Sequence, residues 1–499
     1  MYLKLRFIYF ISLIEGAAVM VSEIAGAKLL APFYGNSLTV WSSVMAITLS
    51  GLASGYFIGA QLSKSENKQK TLFKLLFLAS LSIIAMPYLK AVIYGLATML
   101  SLIPAVVCSV IVILFLPILL LGATSPMIIA LLTKDNVHAG ESSGRVYAIS
   151  TIGGIIATFL TSFYFIPTLG ITNTLLVVGA LLMSSSVFLV VIKKNKVVQL
   201  SLCLIPLLLC VLSFKRTKIN NNVMAYNEGI LGTLEVKETP YYLDSAIILR
   251  KLLINNIVQT EMNVNSKKSA SNYINLLDSN IASFPKGNAI VFGLGGGLVA
   301  NLLSNNKYNV TGVEFDNRII EAAKKYFYLN STIEAVCDDA RHYLNHSTTK
   351  YDLVVFDVFK AEEQPAHIIT KESLINLQSL LNEQALVIIN WHGYLTGDIG
   401  KGTRCLLSTL KEVGFNVKII ATHENEDYRN LIVLASMSNI NKKFKNELSI
   451  EQLSLEGIIN TDDKPILEFL NAQANQKWRT NYLQNEILVN RAPSVIKVQ

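Results

Sequence analysis

Charge is scarce in this chain. Of 499 residues, 16% are Asp, Glu, Lys or Arg, against 52% hydrophobic. Ordinary soluble domains carry about 25% charged residues, so a wholly soluble protein is excluded. The deficit is confined to the part before residue 215. Cysteine is scarce too. Cys108, Cys203, Cys210, Cys337 and Cys405 form no CxxC pair and three lie inside apolar runs, which excludes a disulfide framework and a zinc site. No internal repeat and no low-complexity tract is present. No small-residue cleavage site follows a short apolar core at the start, and the first apolar run continues through Leu30, which reads as a retained membrane span. The net charge of +8 lies largely in short loops, around Lys64, Lys68 and Lys70, around Lys193, Lys194 and Lys196, and around Lys215, Arg216 and Lys218. Such clusters mark topology beside a bilayer rather than a nucleic-acid surface.

Long apolar runs are what the first part does have. Stretches at 7–31, 38–61, 72–89, 104–132, 146–166, 172–192 and 198–214 approach or exceed the roughly 20 residues a crossing requires, which predicts about seven spans. The segment 90–103 reads as an interfacial helix, or else as an eighth crossing. Gly51, Gly55 and Gly59 share one helix face and "TIGGIIAT" at 151–158 repeats the device, so close helix packing is expected at both. Glu15, Glu23 and Lys28 lie within the first span. Charges at that depth are costly and either line a cavity or bind a neighbouring helix. Counting basic residues near the span ends puts the N-terminus in the cytoplasm. An odd number of spans then places the C-terminal part on the other side, and a crossing by 90–103 returns it. The reading is an integral protein of a bacterial-type inner membrane with the sidedness of its C-terminal part open.

After Lys218 the texture changes. Residues 222–262 alternate in short runs, which predicts a small antiparallel β-unit. From 289 to about 436, apolar runs at 289–293, 309–314, 333–337, 352–356, 385–390, 416–421 and 430–435 alternate with helical stretches, the pattern of a doubly wound parallel sheet. The expected organisation is a helical membrane domain over 1–218, a small β-domain over 219–265 and a Rossmann-like domain over 266–499.

Ligands in such sheets bind beyond the carboxyl ends of the strands. "AIVFGLGGGLVA" at 289–300 reads as strand, turn and helix, with Gly293, Gly295, Gly296 and Gly297 in the turn. No glycine occupies the sixth position of a dinucleotide fingerprint, which favours an adenosyl ligand without pyrophosphate. Glu314 ends the next strand and can accept from both ribose hydroxyls. Asp338 and Asp339 can accept from an adenine amino group, or cap the following helix. Asp357 ends the fourth strand. His367 reads as a loop residue or a proton shuttle, and Trp391 as a rim aromatic or part of a cofactor pocket.

The stretches "GNAIVFGLGGGLVANLL", "VTGVEFD", "EAVCDDARHYL", "YDLVVFDVF", "RKLLINNIVQTEM" and "TDDKPILEFL" together resemble the spermidine synthase family of polyamine aminopropyltransferases. "EGAAVMVSEIAGAKLLAPFYGNSLTVWSS" resembles the membrane-fused type with a transporter-like helical region. The resemblance implies a class I methyltransferase fold and a donor substrate, decarboxylated S-adenosylmethionine, with no metal. Intact S-adenosylmethionine and methyl transfer are the alternative. A transporter or sensor whose C-terminal domain binds a polyamine or nucleoside without turnover is a further one. By the same resemblance Glu314 holds the ribose, Asp339 reads adenine, Asp357 is the catalytic carboxylate, Gln259 lies near the donor and Tyr273 belongs to the acceptor site. The chain departs from the family at "DVFK", where Lys360 replaces a second aspartate, with Glu362 and Glu363 nearby. The expected partners are a small amine acceptor and the lipid bilayer, not nucleic acid, with a homodimer left open.

Overall fold

The computed structural model describes residues 2–34, 38–100, 102–133, 139–191, 222–229, 231–241, 244–358, 366–450, 453, 455 and 457–491. The chain divides into two compact units, one of Met1–Asn220 with Asn227–Thr233, the other of Asn221–Tyr226 with Leu234–Gln499.

The first unit is a bundle of apolar helices. Five helical stretches among the described residues are long and apolar enough to cross a membrane: Arg6–Tyr34, Leu38–Leu62, Lys68–Ala97, Ile103–Leu132 and Ala139–Val187. The last covers two of the expected spans and is broken at Gly170, whose φ of 80° and ψ of 169° no helix tolerates. The segment 90–103 begins as helix continuous with the third stretch and reaches an extended Leu100. The span expected at 198–214 lies outside the described residues.

Small residues set the packing. Helices α1 (Tyr2–Tyr34) and α7 (Ala139–Leu160) cross so closely that a Cβ on Gly16 would strike the Ser150 carbonyl oxygen and one on Gly153 that of Leu13. Gly55 and Gly59 of α2 (Leu38–Leu62) meet the backbone of Leu119 and Ala123 on α6 (Leu116–Leu132) in the same way. Glu15 is buried between α1, α6 and α7. Its Oε1 accepts from Ser125 Oγ at 3.3 Å and its Oε2 from Ser150 Oγ at 2.9 Å, so this charge-bearing side chain ties three helices together. Glu23 is half-buried.

An antiparallel meander follows, of β1 (Val223–Gly229), β2 (Gly232–Pro240), β3 (Ile248–Ile254) and β4 (Ile257–Asn263); it belongs to the second unit except for Asn227–Thr233, at the β1–β2 turn, which group with the first. An eight-stranded sheet follows: β5 (Asn288–Phe292), β6 (Asn309–Glu314), β7 (Glu334–Cys337), β8 (Tyr351–Phe356), β9 (Leu381–Trp391), β10 (Asn416–Ala421), β11 (Leu431–Ser436) and β12 (Glu447–Leu448), in the order β12-β10-β11-β9-β8-β5-β6-β7. Strands β5 to β9 are parallel, as helical crossovers require. The sheet is nonetheless mixed, not wholly parallel. A short connection joins β10 to β11, too short for a crossover, so β11 returns antiparallel between β10 and β9. Apolar residues of one sheet face and of the helices packed on it form a core that includes Phe292, Phe356, Val387, Trp391 and Leu406.

Candidate active site

The order places β5 between β6 and β8. The connections leave β5 in opposite directions there, the switch point where a crevice opens at the strand ends. The parallel register then lines up one row of residues. Phe292 pairs with both Val313 and Phe356, Phe356 pairs with Ile389, and Glu314 pairs with Cys337. One step further along, Glu314, Gly293, Asp357 and Asn390 stand side by side across four strands. The Phe292 and Phe356 rings stack 5.0 Å apart just below and fix the row.

The glycines answer to packing. Gly293 has φ of +82°, and a Cβ there would sit 2.5 Å from the Asp357 carbonyl oxygen, so only glycine lets the turn pass the end of β8. Gly297 has φ of +77° and opens α10 (Leu298–Asn305); a Cβ there would lie 2.5 Å from Leu329. The N–H groups of the turn are taken within the protein. Gly293 N donates to Val313 O at 2.9 Å and Gly297 N to Leu294 O at 2.8 Å. Leu294 N and Gly295 N donate to Glu314 Oε2 at 3.1 and 3.3 Å, and Gly296 N donates to Thr260 Oγ1 at 2.8 Å. A pyrophosphate needs such donors, and here five successive ones face protein acceptors. The surrounding strand ends carry the carboxylates Glu314 and Asp357, so the turn offers neither free donors nor positive charge to a pyrophosphate.

Glu314 is buried, and its Oε1 also accepts from Asp316 N at 3.2 Å, so it braces the turn as well as ending β6. Asp339 caps α12 (Ala340–His346), its Oδ1 accepting from Arg341 N at 2.9 Å and His342 N at 3.0 Å. Its Oδ2 lies 3.6 Å from the exposed His367 Nε2. Asp338 Oδ2 pairs with His342 Nδ1 at 2.9 Å. Gln259 turns its amide back to the Ile257 carbonyl at 3.2 Å; its neighbour Thr260, unremarkable in the sequence, is the residue that reaches the glycine turn. Trp391 is wholly buried with its Nε1 donating to Thr403 Oγ1 at 3.0 Å, so it is neither rim nor pocket but core. Lys360, Glu362 and Glu363 lie outside the described residues.

Asp357 is the centre of the arrangement. Tyr273, on α9 (Asn272–Asn280), donates its Oη proton to Asp357 Oδ2 at 2.6 Å. Asn390 Nδ2 donates to Asp357 Oδ1 at 2.8 Å. Burial pushes the Asp357 carboxyl up to about 6; the Asn390 and Tyr273 hydrogen bonds pull it down, and the Glu314 charge adds to the rise. Burial and the Asp357 charge push the Tyr273 phenol well above its ordinary value, so it remains a donor. A half-recessed carboxylate pushed up to about 6 and held at both oxygens beside the glycine turn can accept a proton at neutral pH. Asn390 escaped the sequence reading because an asparagine closing a strand looks like termination.

Sheet order, glycine turn and acidic row define a Rossmann-like α/β domain joined to a bundle of membrane-span-like helices. No family model matches the chain. Among curated relatives, the N-terminal histidine N-methyltransferase of Emericella nidulans is 24% identical over 232 residues, 43% of this chain and 38% of that protein. The polyamine aminopropyltransferase of Vibrio vulnificus is 30% identical over 108 residues, 20% of this chain and 36% of that protein. The chain therefore spans little more than a third of the length of either. Polyamine aminopropyltransferase 2 of Aquifex aeolicus is 22% identical over 436 residues, covering 80% of this chain and 81% of that one. A probable spermidine synthase structure from Corynebacterium glutamicum aligns at a TM-score of 0.38 and 20% identity, over 43% of this chain and 80% of that chain. The chain thus bears a distant, partial resemblance to the polyamine aminopropyltransferase, or spermidine synthase, family, with an N-terminal helical region in addition.

Proposed function

We propose that the second unit transfers an aminopropyl group from decarboxylated S-adenosylmethionine to an amine. The observation that carries this reading is the Tyr273–Asp357–Asn390 constellation beside a turn whose N–H groups are already spent. Glu314 would hold the ribose, with Asp339 and Asp338 toward the adenine and Gln259 at the margin. Asp357 would orient the acceptor amine and take its proton as the new C–N bond forms at the methylene beside the sulfonium. The C–S bond breaks in the same step, and its electrons leave on sulfur as a neutral thioether. The sulfonium is a good leaving group, so positioning supplies much of the acceleration. Lys360 stands where the family keeps a second aspartate, which disfavours a dication such as putrescine and favours an acceptor whose far end is neutral or anionic.

Methyl transfer from intact S-adenosylmethionine is the second reading, supported by the name of the Emericella relative, which is matched over 232 residues. Turnover of the purified full chain with each donor and a panel of amines decides between them. Release of methylthioadenosine supports aminopropyl transfer. Release of S-adenosylhomocysteine supports methyl transfer, and neither product with any acceptor would overturn both.

A further inference from the structure

An asparagine pair on one sheet face backs Asp357. Antiparallel register sets Asn390 of β9 opposite Ile432 of β11, so Asn430 lies two residues back, diagonal to Asn390 and on the same face. Asn430 Nδ2 donates to Asn390 Oδ1 at 2.9 Å, while Asn390 Nδ2 donates to Asp357 Oδ1 at 2.8 Å. The Asn430 main chain is held by its N–H, which donates to Thr422 Oγ1 at 2.8 Å. An amide side chain can turn over and exchange its oxygen for its NH2. Only one orientation serves here. It sets the Asn390 oxygen on Asn430 Nδ2 and the NH2 on the Asp357 carboxylate, which can only accept.

We propose that Asn430 and Asn390 form a positioning relay that locks the Asn390 amide as a donor and thereby keeps Asp357 ionised for proton abstraction. The role in catalysis rests on the transfer reading above; the relay itself does not. Two donors on Asp357 then divide the work. Tyr273 holds Oδ2 from α9, and Asn390 holds Oδ1 from the end of β9. The charged group facing Asp357 from β6 is Glu314, which opposes ionisation. Among the described residues, the donors set against burial and Glu314 are Tyr273 and Asn390. Removing Asn390 therefore leaves Tyr273 alone against both.

The relay makes a directional prediction. In Asn390→Leu the donor is gone. In Asn430→Asp a carboxylate accepts from the Asn390 NH2, turns the amide over and points its oxygen at Asp357. Both substitutions should raise the Asp357 titration, by about one unit, a tenfold change in the ionised-to-protonated ratio. The titration is read without substrate on the full chain. The melting temperature of each variant is compared with that of the same variant carrying Asp357→Asn, across pH 3 to 9, and the pH above which the difference stops changing reports the folded carboxyl. That break is expected near 6 for the parent protein. An upward shift of the break in Asn390→Leu and also in the uncharged Asn430→Leu supports the relay, and an unchanged break in a folded Asn430→Leu overturns it, since the charge added by Asn430→Asp raises the carboxyl by itself. Where turnover is found, kcat/KM at pH 6 should fall about fivefold and recover above pH 8, because ionisation is delayed and not abolished. A uniform fall at every pH would instead mark a merely structural pair. If no donor and acceptor turn over, the transfer reading fails while the melting difference still decides the relay.

Discussion

At the scale of the residue, Asp357 is held at a cost to the fold. Its folded value of about 6 exceeds the ordinary 3.8 because burial penalises the charge. Between those values the folded chain binds a proton that the unfolded chain has released, so stability falls as pH rises through that window and is flat above it. A two-unit rise corresponds to about 3 kcal/mol at most. Asp357→Asn should therefore raise the melting temperature at pH 7.5, by an amount equivalent to about 1–2 kcal/mol once the hydrogen bond lost to one of the two donors is subtracted. The gain should vanish below pH 4, where the wild-type carboxyl is neutral as well. The same substitution should lower turnover by at least about 100-fold and spare donor binding, as expected for a lost general base. Normal turnover would reduce Asp357 to a strand-end residue. Glu314 behaves differently because it accepts from the turn itself. Glu314→Ala should weaken an adenosyl sulfonium ligand by about 2–4 kcal/mol by calorimetry and also lower the melt, since Leu294 and Gly295 lose their acceptor. Glu314→Gln keeps one oxygen, so it should recover part of the melt and little of the affinity. Equal recovery of both would assign Glu314 to the turn alone.

At the scale of the element, the turn after β5 is where sequence and structure agree for a reason the sequence did not state. Glycine-rich spacing reads as ligand approach, yet Gly293 is demanded by the Asp357 backbone and Gly297 by Leu329. Gly293→Ala should cost about 2–4 kcal/mol, from left-handed backbone strain plus the displaced end of β8, and should lower turnover with it. A melt within a degree of wild type would show that the turn does not pass the end of β8 so closely. Strand positions were legible to within a few residues because buried apolar runs carry them. Strand direction was not, since an apolar run such as 430–435 reads the same parallel or antiparallel, and only the short β10–β11 connection reveals the reversal. Glu314 and Asp357 were legible because a carboxylate closing an apolar strand is conspicuous. Thr260, Asn390 and Asn430 were not, because uncharged polar residues acquire their meaning from register. Asp339 shows the converse: its place after β7 fitted both a helix cap and a ligand residue, and the cap is visible in its bonds to Arg341 and His342.

At the scale of the molecule, the two compact units rest on different physics. The α/β unit buries alternating apolar faces against helices. The apolar bundle has lipid-like surfaces on offer everywhere, so close backbone approach, rather than apolar burial alone, selects its helix partners. Gly16 and Gly153 mark the tightest approach of α1 and α7, and Glu15 bonds to Ser150 within that same contact. A single methyl group at Gly153 would strike the Leu13 carbonyl oxygen and force the helices apart, stretching the Glu15–Ser150 bond with them. Gly153→Ala in the full chain should therefore lower the detergent melting temperature of the helical unit, by the equivalent of about 1–3 kcal/mol as in other overpacked contacts. Donor affinity of the α/β unit, measured on the same protein at a temperature below both melts, should stay within about twofold, because its site is built wholly from residues of its own unit. Ser150→Ala provides the control: it removes the hydroxyl without adding bulk, so it should cost less than Gly153→Ala and about the 0.6 kcal/mol typical of interhelical hydrogen bonds in membranes. An unchanged melt in Gly153→Ala would mean that α1 and α7 do not meet at these glycines.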